Sequence, residues 1–193
     1  MDIRHFHRAD EHRTVCHSKA VALEGAADLE VAARYWSEFL VEHQRWYTRM
    51  QQAFERGPSA AWFGKLKARR QSDPLLLYLH QARHADEHGL DRIAVAEPGG
   101  LGIGVGGGHV HIERLEIRNG VITQLVGSQD GGPLKVRFTK PHLKLNVVQN
   151  RGKAYEPPMG QLGGEPFDAL RATAECLDIM EQASAEGRAF FYQ

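Results

Sequence analysis

Eight residues, Leu29, Ala32, Trp36, Phe39, His43, Trp46, Met50 and Ala53, recur at alternating steps of three and four. That spacing is one stripe of a helix with 3.6 residues per turn, and its length predicts an amphipathic helix over residues 28–55. Two tryptophans and a phenylalanine on the stripe belong in a core, where large rings gain most from leaving water. His43, mid-stripe, is expected to be a core or interface histidine. The seam carries more apolar surface than two short helices can cover, so a homodimer is expected.

Residues 1–25 are polar as far as His17, then carry the brief run Ala20-Val21-Ala22-Leu23; they read as helical or frayed. Gly57-Pro58 closes the long helix. A short one follows, with Trp62, Phe63 and Leu66 inward and Lys65, Lys67, Arg69 and Arg70 outward. A third helix over 73–89 has start and stop signals: Asp73 as N-cap, Pro74 at the first helical position and Gly89 beyond the last. Short connections make these three helices antiparallel neighbours.

Beyond Gly89 the period changes to two. Arg92–Glu97 reads as a strand, and the glycine run 99–108 as a flexible connector, because it lacks the Gly-Lys-Ser/Thr ending of a phosphate-binding loop. His109–Arg118 and Val121–Val126, joined by Asn119-Gly120, form a hairpin. Leu134, Val136 and Phe138 alternate with Lys135 and Arg137; Leu143, Leu145 and Val147 alternate with Lys144 and Asn146. Residues 149–165 read as loop, and a last helix runs from Pro166 to about Glu186, with Phe167, Leu170, Leu177 and Met180 on its apolar side. The class is α+β: a helical N-terminal half (one long helix plus two shorter ones), a small, mostly antiparallel sheet of about five strands, and a C-terminal helix. The division expected is a helical region over 1–89 and a β-rich region over 90–193, closed by the C-terminal helix, or the two packed as one compact domain.

Lys+Arg and Asp+Glu balance at 24 each, so overall charge implies no polyanionic partner. Cys16 and Cys176 have no metal-ligand spacing, which fits a reducing, cytoplasmic setting. The N-terminus is too polar for a signal peptide, and no apolar run approaches a membrane span. No cofactor is implied.

The most reactive stretch is the end of the third helix, Arg83-His84-Ala85-Asp86-Glu87-His88. Residues four apart share a helix face, so His80, His84 and His88 form a row on the side away from Leu75, Leu79 and Ala82. Neutral imidazoles in such a row could grip Zn²⁺ or another transition ion, with His109 and His111 as further candidates. The same segment is arginine, four residues, histidine, with a polar residue directly after the arginine. This resembles the signature of HEPN-domain proteins, whose ribonuclease members carry Arg-x(4–6)-His with Asn, Asp or His after the arginine. The resemblance extends over residues 28–89.

That resemblance implies metal-independent RNA cleavage by the substrate's own 2′-hydroxyl. It assigns His88 to general acid or base work, Arg83 to charge on the phosphoryl oxygens, and His84 to orientation. It also implies a site built across a two-fold dimer. HEPN domains are all-α, whereas a β-rich segment follows here. Residues five apart on a regular helix lie about 140° apart around the axis, so Arg83 and His88 converge only if the helix breaks or a second protomer contributes. A non-enzymatic alternative is an RNA- or protein-binding module, with Lys135, Arg137, Lys140 and Lys144 lining one sheet face toward phosphates.

Overall fold

A computed structural model describes residues 1–88, 92–104, 108–119, 121–130, 132–160 and 164–192. Among these residues, five α-helices, α1 (Ile3–Glu24), α2 (Leu29–Phe54), α3 (Ala60–Ser72), α4 (Pro74–His88) and α5 (Ala169–Ala189), combine with nine strands in an α+β fold. The chain divides into two compact units: residues 1–96 with 142–193, and residues 97–141. This partition does not follow the division near residue 89 expected from sequence, because the closing helix and two small sheets join the helical unit.

The seam of α2 is buried as its spacing requires: Trp36, Phe39 and Met50 are fully covered and Trp46 nearly so. Helices α1, α4 and α5 cover it within one chain. The apolar seam on which the expected homodimer rests is thus covered by helices of the same chain. His43 lies flat between Phe39 and Trp46, with ring centroids 6.4 and 5.9 Å away.

The N-terminal segment forms a 22-residue helix capped by Asp2, whose carboxylate accepts from the Arg4 amide. Its buried stripe is narrow: Phe6, Ala9, Cys16 and Leu23. Two of these four are small, which suits close packing against α2 but leaves little hydrophobic signal. α5 uses the same device. Its buried face is Ala169, Ala172, Thr173, Cys176, Met180, Ala183, Ser184 and Gly187, while Leu170, expected inward, is 40% exposed.

α4 begins as expected. The Asp73 carboxylate accepts from the amides of Leu75 and Leu76 at 2.9 and 3.1 Å, and Leu75, Leu76, Tyr78, Leu79 and Ala82 are buried. The Tyr78 hydroxyl donates to the Asn146 carbonyl at 2.7 Å, tying the helix to the chain beyond it. Gly89, its expected stop, lies outside the described residues.

In place of one sheet of about five strands, the described residues form four small ones. In the helical unit β1 (Ala94–Glu97) pairs with β7 (His142–Leu145), and β8 (Val148–Asn150) with β9 (Lys153–Tyr155), the latter within residues expected to be loop. In the second unit β2 (Gly100–Ile103) pairs with β6 (Val136–Thr139), so part of the glycine run is strand, while Gly99, Gly104 and Gly108 lie outside it; residues 105–107 lie outside the described residues. There too, β3 (Val110–Arg118), β4 (Val121–Gln129) and β5 (Gly132–Pro133) form a three-stranded antiparallel sheet. Arg118 pairs with Val121, as the Asn119-Gly120 hairpin requires, Gly120 itself being outside the described residues. Two register shifts interrupt β3–β4, and such bulges bend and end pairing rather than extend it. Among the described residues no helix is long and apolar enough to cross a membrane.

Candidate active site

The three histidines at the end of α4 do share a face. His80 and His84 are partly buried and His88 is exposed. The His80 and His84 rings meet edge to face, with centroids 4.5 Å apart. Opposite them stands the β8–β9 hairpin, held to the helix where the Asn150 amide donates to Gln81 Oε1 at 2.6 Å. Helix and hairpin enclose a cleft of about 240 Å³, lined by the three histidines and Gln81 on one side and by Asn150, Arg151 and Tyr155 on the other. A larger groove of about 430 Å³ lies between α1 and α5, lined by Ala20, Val21, Leu170 and Leu177 together with His17, Glu24, Arg171 and Thr173.

Arg151 is unusual in conformation. Asn150 pairs with Lys153, so Arg151 and Gly152 form a two-residue hairpin loop, and both have positive φ, 50° and 73°. This is the pattern of a type I′ turn, whose first position favours asparagine, aspartate or glycine. A long β-unbranched side chain with positive φ is uncommon there and costs energy. The strained arginine is exposed, lines the cleft, and forms no ion pair among the described residues.

Beneath the cleft lies Arg70, expected on the wet face of α3 but only 9% exposed. Its guanidinium lies over the Tyr47 ring at 3.7 Å, contacts His80 Nδ1 at 2.6 Å and donates to Gln44. Its spacing explains this: Arg70 follows Leu66 by four residues and Phe63 by seven, on the same buried stripe. Among the described residues its Nε has no hydrogen-bond partner, and no carboxylate pairs with it.

Burial, reinforced by Arg70 and then His84, holds His80 down to about 4. Burial is also the main cause lowering His84, opposed by Glu87 and aided by Arg70. His43, deeper still, falls to about 3 through burial, then Arg70 and His80. The inner histidines are thus neutral near pH 7, able to accept a proton or donate one N–H.

Arg83 does not join this cleft. α4 runs unbroken to His88, and Arg83 pairs with Glu87 at 3.3 Å on another side of the helix. Asp86 accepts from Ser37 of α2 at 3.2 Å. Among the described residues no group of three His, Cys, Asp or Glu is placed to hold a metal ion, so the row His80, His84 and His88 is aligned without converging. His109 and His111 belong to the other unit. The four basic residues expected on one sheet face are dispersed: Arg137 is on β6 and Lys144 on β7, in different sheets, and Lys135 and Lys140 are outside the strands. Arg137, Lys140 and Lys144 each engage in an interaction within the chain.

Sequence reading missed Arg70, Asn150, Arg151 and Tyr155. Asn-Arg-Gly-Lys at 150–153 is a two-residue turn signal with an arginine in a position that disfavours it, and that mismatch marks the hairpin tip. No protein-family model, no curated protein and no solved structure matches this chain.

Proposed function

We propose that the cleft between α4 and the β8–β9 hairpin is the active site of a metal-independent RNA endonuclease. One observation carries the reading: two histidines a helical turn apart, His84 and His88, face Arg151, an arginine with no ion pair among the described residues, across a polar cleft. The reaction this suits is attack of an RNA 2′-hydroxyl on the adjacent phosphorus. His84, neutral at pH 7, takes the hydroxyl proton as the new P–O bond forms. His88 gives a proton to the departing 5′-oxygen as the old bond breaks, leaving a 2′,3′-cyclic phosphate and a 5′-hydroxyl. Arg151 meets the charge on the non-bridging oxygens, for which its permanent charge and fork of donors are suited.

The HEPN resemblance assigns the phosphate to Arg83, which within one chain lies away from the cleft. Arg83 would act with His88 only in a site shared by two protomers, and Arg83→Ala separates the two arrangements. Unpaired, buried Cys16 and Cys176 fit a reducing, cytoplasmic setting for this enzyme. The test is incubation of protein, purified without a tag, with single-stranded RNA in EDTA. Cleavage leaving 2′,3′-cyclic phosphate ends, and no cleavage of DNA of the same sequence, is expected. Salt-sensitive RNA binding without any cleavage would replace the enzyme with a binding module.

A further inference from the structure

Arg70 is a buried cation whose polar partners, Gln44, Tyr47 and His80, are all neutral. Burying an unpaired charge is costly, and such groups are ordinarily matched by an acid or an anion. No described carboxylate takes that part, but His80 connects Arg70 to the cleft. The contact between them has only one chemical sense. A guanidinium has five N–H donors and no acceptor, so at 2.6 Å the His80 Nδ1 must present its lone pair. A neutral imidazole then carries its hydrogen on Nε2, the one ring nitrogen left for the cleft that His80 lines.

We propose that Arg70 is a positioning residue that locks His80 as the Nε2–H tautomer, making it a fixed hydrogen-bond donor to an anionic phosphate oxygen in the cleft. Guanidinium, imidazole and oxyanion then form one chain of hydrogen bonds, each polarising the next. The buried charge is matched through the ring instead of by direct contact. The donor cannot readily become a cation, because a second proton would have to enter on Nδ1, against the guanidinium. The groups around His80 favour the same state: Arg70 from α3, His43 and Tyr47 from α2, His84 and His88 along α4, and Arg151 and Tyr155 from the hairpin. Of these only the tyrosines can become anionic, and burial raises Tyr47 further above neutrality. The ligand class is an acceptor-only oxyanion, a phosphate mono- or diester. The inference rests on reading the cleft as a phosphate site, but not on RNA cleavage.

The test is ¹⁵N-histidine NMR of the whole chain, with inorganic phosphate as probe. At pH 7 the wild-type His80 ring is expected as a single neutral Nε2–H tautomer whose N–H signal moves on adding phosphate. Arg70→Gln should release it into a tautomer mixture that protonates closer to the ordinary histidine range. If that variant does not fold, wild type still decides: an Nδ1–H or cationic His80, or an N–H that ignores phosphate, overturns the proposal. A second pair of variants is read by phosphate affinity. His80→Gln, which retains an N–H near the Nε2 position, should stay within about threefold of wild type. His80→Leu should lose about 10- to 100-fold, the loss expected for one hydrogen bond to a charged group. Equal affinities of the two variants overturn it. A protein that shows the lock and the phosphate response but cleaves no RNA keeps this inference and loses the ribonuclease. One that cleaves RNA with His80 protonated on Nδ1 does the reverse.

Discussion

Arg151→Asn should stabilise the fold and disable the cleft together. Arg151 sits at φ 50°, first in a two-residue hairpin loop followed by Gly152. The left-handed region costs an ordinary L-residue about 1–2 kcal/mol, and asparagine much less. Asparagine before glycine is the preferred pair for this turn. The side chain being replaced is exposed and makes no ion pair among the described residues, so little packing is lost. The net gain is about 1 kcal/mol, which for a chain of 193 residues raises Tm by about 2–4 °C. Removing the Arg151 cation from the cleft that His84 and His88 line should lower RNA cleavage by about 10²–10³, as when a single charge-stabilising donor is lost. Thermal unfolding followed by circular dichroism and a cleavage time course on the same preparation measure both. A variant that melts earlier than wild type refutes the strain. One that melts later but cleaves at the wild-type rate makes Arg151 an ordinary solvated turn residue.

His84→Ala and His88→Ala should each reduce cleavage by about 10²–10⁴ and the double variant little further, since paired proton-transfer groups act as a unit; multiplicative losses would mean independent roles. Arg83→Ala should cleave within a few-fold of wild type, whereas a fall of two orders of magnitude would place Arg83 in a site shared between protomers. Stability should decline as pH falls below about 6.5: unfolded His43 and His80 take up protons there, while the folded chain resists until about 4 for His80 and about 3 for His43. For fully buried His43 the slope is about 1.4 kcal/mol per pH unit, and a Tm that is flat from pH 6.5 to about 5 contradicts this. Tyr78→Phe removes the donor to Asn146 and should cost about 1 kcal/mol, read as a denaturation midpoint shift with unchanged m-value; no shift would mean the bond contributes nothing net.

What could be read along the chain was whatever short-range geometry decides. The α2 seam follows from helical period alone, and so does the row His80, His84, His88. Asp73 caps amides two and three residues ahead of it, which no distant contact is needed to arrange. Periodicity even contained the burial of Arg70, on the stripe of Phe63 and Leu66, although its charge argues for solvent. α1 was harder to read because its buried stripe is narrow and half made of alanine and cysteine, enough for close packing against α2 but too weak for a pattern. Strand pairing was not legible: alternation marks a strand without naming its partner, and the strands divide among four sheets according to contacts far apart in sequence. The site depended on tertiary structure most of all. The Arg83–His88 spacing is a local fact, but an unbroken helix holds those two side chains about 140° apart. Packing brings Arg151 and Asn150 opposite α4 from some seventy residues away and sets Arg70 under His80, because charge placement and burial are settled only where separate elements meet.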